Sequence, residues 1–112
     1  MKARLEPRIN LVGRTPLETV IPLATPFIVF VDPASSCNFK CTFCPTGHRD
    51  MIAQTGRFQG VMKLEVFQKI IDDFGEFEKP IKVLRMYKDG EPFLNKRIAD
   101  MVAYAKKSGH VD

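Results

Sequence analysis

Apolar residues fall into four blocks along the chain, and each block has its own spacing. Phe27-Ile28-Val29-Phe30-Val31 is an unbroken β-branched and aromatic run ended by Asp32-Pro33, the pattern of a strand buried on both faces. Leu64, Phe67, Ile70, Ile71 and Phe74 recur at three- and four-residue steps. That is the period of an amphipathic helix, with Gly75 placed to end it and Lys63 a poor cap at its start. Ile81-Lys82-Val83-Leu84-Arg85-Met86-Tyr87 follows Pro80 with partial alternation and predicts a second strand. Ile98, Met101, Val102 and Ala105 then restore the helical period ahead of Gly109.

The order strand, helix, strand, helix predicts an α/β fold with parallel strands joined by right-handed crossovers. Two such units cannot close a barrel, and a two-stranded parallel sheet leaves apolar edges open. Val111 and Asp112 fit the opening of a third strand, so the chain is expected to be the N-terminal part of a larger enzyme, or a truncated relative of one. Between the blocks, Pro45 to Met62 carries Pro45, Gly47, Gly56 and Gly60 and predicts a long loop. Residues 1–26 hold prolines at 7, 16, 22 and 26 without a sustained apolar period. They predict an extended lead-in packed against the outside of a domain spanning residues 27–112.

Composition narrows the class. At 112 residues, 45% hydrophobic and 27% charged, the chain has the make-up of one small soluble domain. A net charge of +4 is spread along it with no basic block among aromatics, which argues against a nucleic-acid partner. The longest apolar stretch, Val20 to Val31, is too short for a bilayer and is interrupted by Pro22 and Pro26, and no secretory pattern opens the chain. A cytoplasmic location is expected, and unpaired cysteines grouped as ligands suit it.

All three cysteines, Cys37, Cys41 and Cys44, lie within eight residues. The C-x3-C-x2-C spacing lets three sulfurs converge, whereas a disulfide would leave one thiol unpaired. Thiolates favour zinc, copper(I) and iron–sulfur clusters. A cluster is the favoured reading, and because iron–sulfur cubes are usually held by four cysteines, three would leave one iron open to a small ligand. His48 offers a different completion, a closed Cys3His zinc site in a small binding module. His110 reads as an exposed helix-end residue and Phe39 as packing. Asn38 and Lys40 either satisfy loop backbone or sulfurs or face solvent. Glu65, Asp72, Asp73, Glu76 and Glu78 read as a solvated face, and no Ser-His-Asp set, P-loop or GxGxxG is present.

The cysteine stretch resembles the signature of the radical S-adenosylmethionine (radical SAM) enzymes, C-x3-C-x-aromatic-C on the loop after the first barrel strand, with Phe43 as the aromatic. The resemblance runs on through Gly56, Gly60 and Met62 ahead of a helix and through Gly90-Glu91-Pro92 after a second strand, covering about Phe27 to the end. Cys44-Pro45 and the later Gly-x-Met look most like the branch that often carries a C-terminal SPASM extension, which this chain is expected to lack. The resemblance implies a partial (β/α) barrel of radical SAM type, truncated after two βα units. It also implies a 4Fe-4S cluster on Cys37, Cys41 and Cys44 and S-adenosylmethionine chelating the open iron. Reductive cleavage would yield a 5′-deoxyadenosyl radical that takes hydrogen from a substrate. Gly90, Glu91 and Pro92 would receive the methionine end, Gly90 by close backbone approach and Glu91 as an acceptor for the ammonium. Asp89 departs from the second glycine of many relatives. Phe43 would stack near the adenine, shield the cluster, or pack within the loop. An electron donor such as a flavodoxin or ferredoxin is implied. Peptide, sugar and nucleotide substrates stay open, the SPASM-like look tilting toward peptide or protein. An inactive truncated remnant is the remaining alternative.

Overall fold

The computed structural model describes residues 14–112; residues 1–13, the first half of the expected lead-in, lie outside the described residues. Strand β1 (Ile28–Phe30) pairs in parallel with β2 (Val83–Arg85), setting Ile28 opposite Val83, Val29 opposite Leu84 and Phe30 opposite Arg85. Both strands are shorter than the apolar runs that contain them. Pairing extends by single bonds at either end, from Val83 N to Phe27 O (3.0 Å) and from Val31 N to Arg85 O (2.8 Å). Val111 forms a single parallel bridge to Ile81, flanked by bonds from Ile81 N to His110 O and from Asp112 N to Ile81 O.

Among the described residues three α-helices accompany the strands: α1 (Arg49–Ala53), α2 (Leu64–Asp73) and α3 (Ile98–Ser108). The apolar stripe of α2 buries Phe67 and Ile71, and that of α3 buries Met101 and Ala105. These join Val31, Phe74 and Ile81 in one core, with Val29, Leu84 and Met86 of the sheet packed against it. Tyr104 of α3 donates to Asp72 of α2 (2.7 Å), tying the two helices together at their outer rim. Gly109 ends α3 in the left-handed region (φ 74°), as its position predicts.

Four expectations need correction. The strand expected to be buried on both faces is covered on one only. Val29 and Val31 face the helices, while Ile28, Phe30 and Val83 are exposed, because both long helices pack on the same side of a two-stranded sheet. Gly75 does not stop α2 by a left-handed turn. The chain tightens into a 3-10 turn at Phe74–Glu76, and Gly75 makes room for His110 instead: a side-chain carbon there would lie 3.2 Å from the imidazole. His110 is accordingly half-buried, not an exposed helix end. The loop expected from Pro45 to Met62 contains a 3-10 turn at Pro45–Gly47 and then α1, which is too short to show a period and is anchored by buried Ile52.

In the described part of the lead-in, a 3-10 turn at Leu17–Thr19 precedes a run without regular structure. Val20, the run from Pro22 to Phe27, and Glu78, Lys79, Pro80 and Lys82 together line a cleft of about 280 Å³.

Candidate functional site

The chain leaving β1 is fastened from three directions before it reaches the cysteines. Asp32 turns its carboxylate onto the amides of Lys88, Asp89 and Gly90, which donate at 3.2, 3.2 and 3.4 Å. Ala34 bridges Val61 in antiparallel fashion, and Met62 N donates to Pro33 O (2.8 Å). Ser35 closes the same seam, its hydroxyl accepting from Gly60 N (3.0 Å) and its amide donating to Gly60 O (2.9 Å). The segment Gly60-Val61-Met62 thus forms the wall against which the start of the cysteine loop lies.

The start of the cysteine loop also meets the Gly90-Glu91-Pro92 turn. A side-chain carbon at Gly90 would sit 1.6 Å from the Ala34 carbonyl oxygen, so only glycine allows the two backbones to lie together. Glu91 N donates to Ser36 O at 2.9 Å. The Asp89 departure does not hold the turn away, because the Asp89 side chain points to Arg57, with which it pairs at 3.3 Å. Glu91 caps the 3-10 turn Pro92–Leu94, one carboxylate oxygen accepting from Phe93 N (3.0 Å). Asn95, 2% exposed, locks the assembly from beneath. Its amide nitrogen donates to Pro33 O and Met62 O, both at 2.9 Å, and its oxygen accepts from Arg97 N at the entry to α3.

The cysteine loop closes on itself. Cys44 N donates to Cys41 O (3.1 Å), and a carbon added to Gly47 would lie 1.6 Å from Phe39 O. Cys37 and Cys44 are half-buried and Cys41 is exposed, all three as free thiols. The structure brings the three onto one loop beside the Gly90 turn; among the described residues, no three Cys, His, Asp or Glu side chains converge as a metal-holding group. His48 directs its Nε2 to the Cys41 carbonyl (3.4 Å) rather than to a thiol. Phe43 is 89% exposed, which removes loop packing as its role. Phe39, expected to pack, is also exposed. With Asn38 it lines one side of a cleft of about 300 Å³ whose other side is Glu91, Phe93 and Leu94.

Sequence reasoning missed Asp32 and Asn95, two of the polar residues that build the seam. An aspartate directly after a strand and ahead of proline is a turn signal, and could have marked Asp32. Asn95 carried no such signal. Among the described residues no helix is long and apolar enough to cross a membrane.

No family model matches the chain, and no solved structure matches it. It is 29% identical over 73 residues to an Fe-coproporphyrin III synthase of Methanosarcina barkeri, a stretch covering 65% of this chain and 16% of that protein. It is 31% identical over 81 residues to a tungsten-containing aldehyde ferredoxin oxidoreductase cofactor-modifying protein of Pyrococcus furiosus, covering 72% of this chain and 21% of that one. The chain therefore matches only about a sixth to a fifth of the length of these curated relatives. At the level of family, the two likenesses point distantly toward the radical SAM enzymes and assign neither a specific activity nor a cofactor.

Proposed function

We propose that this chain is the N-terminal part of a radical SAM enzyme, a partial (β/α) barrel that holds a 4Fe-4S cluster through Cys37, Cys41 and Cys44. In this reading Gly90, Glu91 and Pro92 receive the methionine end of S-adenosylmethionine, and Phe43 lies beside the adenine or shields the cluster. The observation that carries it is the seam between two motifs far apart in sequence, made by the contact of Gly90 with Ala34 and the bond from Glu91 N to Ser36 O.

By donor type the residues present fit the group, while the three thiols are not converged in this structure. Three free thiols on one loop are the soft donor set that an iron–sulfur cluster takes. Gly90 supplies a backbone surface without a side chain, and Glu91 keeps its second carboxylate oxygen to accept from an ammonium, which has donors only. Exposed Phe43 offers an aromatic face next to Cys44. Bound there, the cluster and S-adenosylmethionine would supply one-electron cleavage of a carbon–sulfur bond and hydrogen abstraction from a substrate. The chain's own part is to hold both on a frame fixed by Asp32 and Asn95. The names of the two matched relatives, a synthase and a cofactor-modifying protein, support an enzyme. A flavodoxin or ferredoxin would deliver the electron, and the substrate class tilts toward peptide or protein.

The test is anaerobic reconstitution with iron and sulfide, followed by electron paramagnetic resonance of the reduced protein with and without S-adenosylmethionine. A 4Fe-4S signal that shifts when S-adenosylmethionine is added is the expected result. Stoichiometric zinc with no iron uptake would replace this reading with the Cys3His module.

A further inference from the structure

The uncovered face of the sheet carries one cation set between two rings at its carboxyl end. Phe30 closes β1, Arg85 is its register partner at the close of β2, and Tyr87 follows two residues later on the same side. The Phe30 and Tyr87 rings stand edge to face with centroids 6.3 Å apart. The Arg85 guanidinium carbon lies 5.8 Å from the first centroid and 5.9 Å from the second, and Arg85 Nη1 donates to the Tyr87 hydroxyl. Two cation–π contacts and a hydrogen bond hold a side chain that would otherwise be mobile.

Among the described residues the clamp has no counter-ion. Described ion pairs join Arg57 to Asp89, Lys69 to Asp73 and Arg97 to Asp100, and none reaches Arg85. Arg85 Nε is closed off from solvent with no hydrogen-bond partner among the described residues. A partly desolvated guanidinium without an anion is unfavourable, and an anion at its open end relieves that cost. The Tyr87 hydroxyl accepts from Arg85, so its own proton remains to be donated. Guanidinium and phenol therefore present adjacent donors. Below them on the same face, Ile28 and Val83 form an exposed apolar wall. One cation, one hydroxyl and an apolar wall suit a carboxylate on an apolar or aromatic body better than a phosphate dianion.

We propose that Arg85, clamped by Phe30 and Tyr87, recognises the carboxylate of a substrate whose body is apolar or aromatic. For the ligand's role this rests on the reading above, because the clamp lies at the edge from which the cysteine loop and the Gly90 turn depart.

The experiment follows the Arg85 Nε–Hε resonance of the ¹⁵N-labelled, metal-free chain, assigned by its absence from Arg85→Lys. Benzoate, inorganic phosphate and methionine are titrated separately. The expected result is a saturable shift with benzoate, little with phosphate or methionine, and a benzoate dissociation constant raised about threefold to tenfold in Tyr87→Phe. An equal response to phosphate would reduce the clamp to a bare charge and overturn the proposal. So would a response to methionine alone, which would give Arg85 to the carboxylate of S-adenosylmethionine. A resonance that benzoate leaves unmoved would also overturn it. Because the protein is metal-free, failure here is separate from failure to assemble a cluster.

Discussion

Gly90 and Ala34 lie so close that a methyl group on the first would overlap the carbonyl oxygen of the second, at 1.6 Å. Gly90→Ala must therefore push the turn off the cysteine loop. We expect a loss of about 2–3 kcal/mol, read as a lower urea midpoint. Gly56→Ala is the control: its site is open and only its positive φ (65°) opposes a side chain, so it should cost about 1 kcal/mol.

Asp32 satisfies three amides of the same turn with one carboxylate. Asp32→Ala leaves them without that acceptor and should destabilise by about 1–3 kcal/mol. Hydrogen exchange gives the local readout, because the amides of Lys88, Asp89 and Gly90 should exchange faster than those of α2.

Asn95 is buried and joins three segments by its side chain alone. Asn95→Ala removes its donors and acceptor and should cost about 2–4 kcal/mol. If the urea midpoint of that variant matched the parent's, the seam would owe nothing to Asn95.

Cys41 is exposed, so Cys41→Ala should change stability by less than about 0.5 kcal/mol. On the reading proposed above, the same variant loses its cluster, measured as iron per chain after reconstitution. A full S-adenosylmethionine-responsive cube in Cys41→Ala would sink the assignment.

The Tyr104 hydroxyl is held above its ordinary pKa, first by its hydrogen bond to Asp72, then by desolvation and the Asp72 charge. A raised folded-state value means this contact stabilises fully below the ordinary tyrosine range and is lost as pH rises through the folded value. Alkaline titration followed by ultraviolet absorbance should show one tyrosine ionising late. Tyr104→Phe should remove that late step.

The two long helices were legible because their apolar stripes are long enough to show a period: Leu64 to Ile71 lies in α2 and Ile98 to Ala105 in α3, where the spacing predicts helix. Cys37, Cys41, Cys44 and the Gly90-Glu91-Pro92 turn could be marked in the sequence as candidates, but only the fold shows that the loop and the turn lie side by side. The uncovered face was not, since Phe27 to Val31 has the same composition whether helices lie on one side of it or two. Helix α1 is shorter than two turns and leaves no repeat. Asn95 could not be seen either, because its role depends on Pro33 and Met62, which are distant in sequence and reach it only after the chain has folded.

The contact between Gly47 and the Phe39 carbonyl draws the loop carrying Cys41 and Cys44 into a noose. A noose has already given up much of its freedom to wander. The backbone that carries two of the thiols is thereby partly ordered in advance, and an incoming ligand would have less chain left to order. Loosening the noose at Gly47, without touching a sulfur, would be felt first as slower capture.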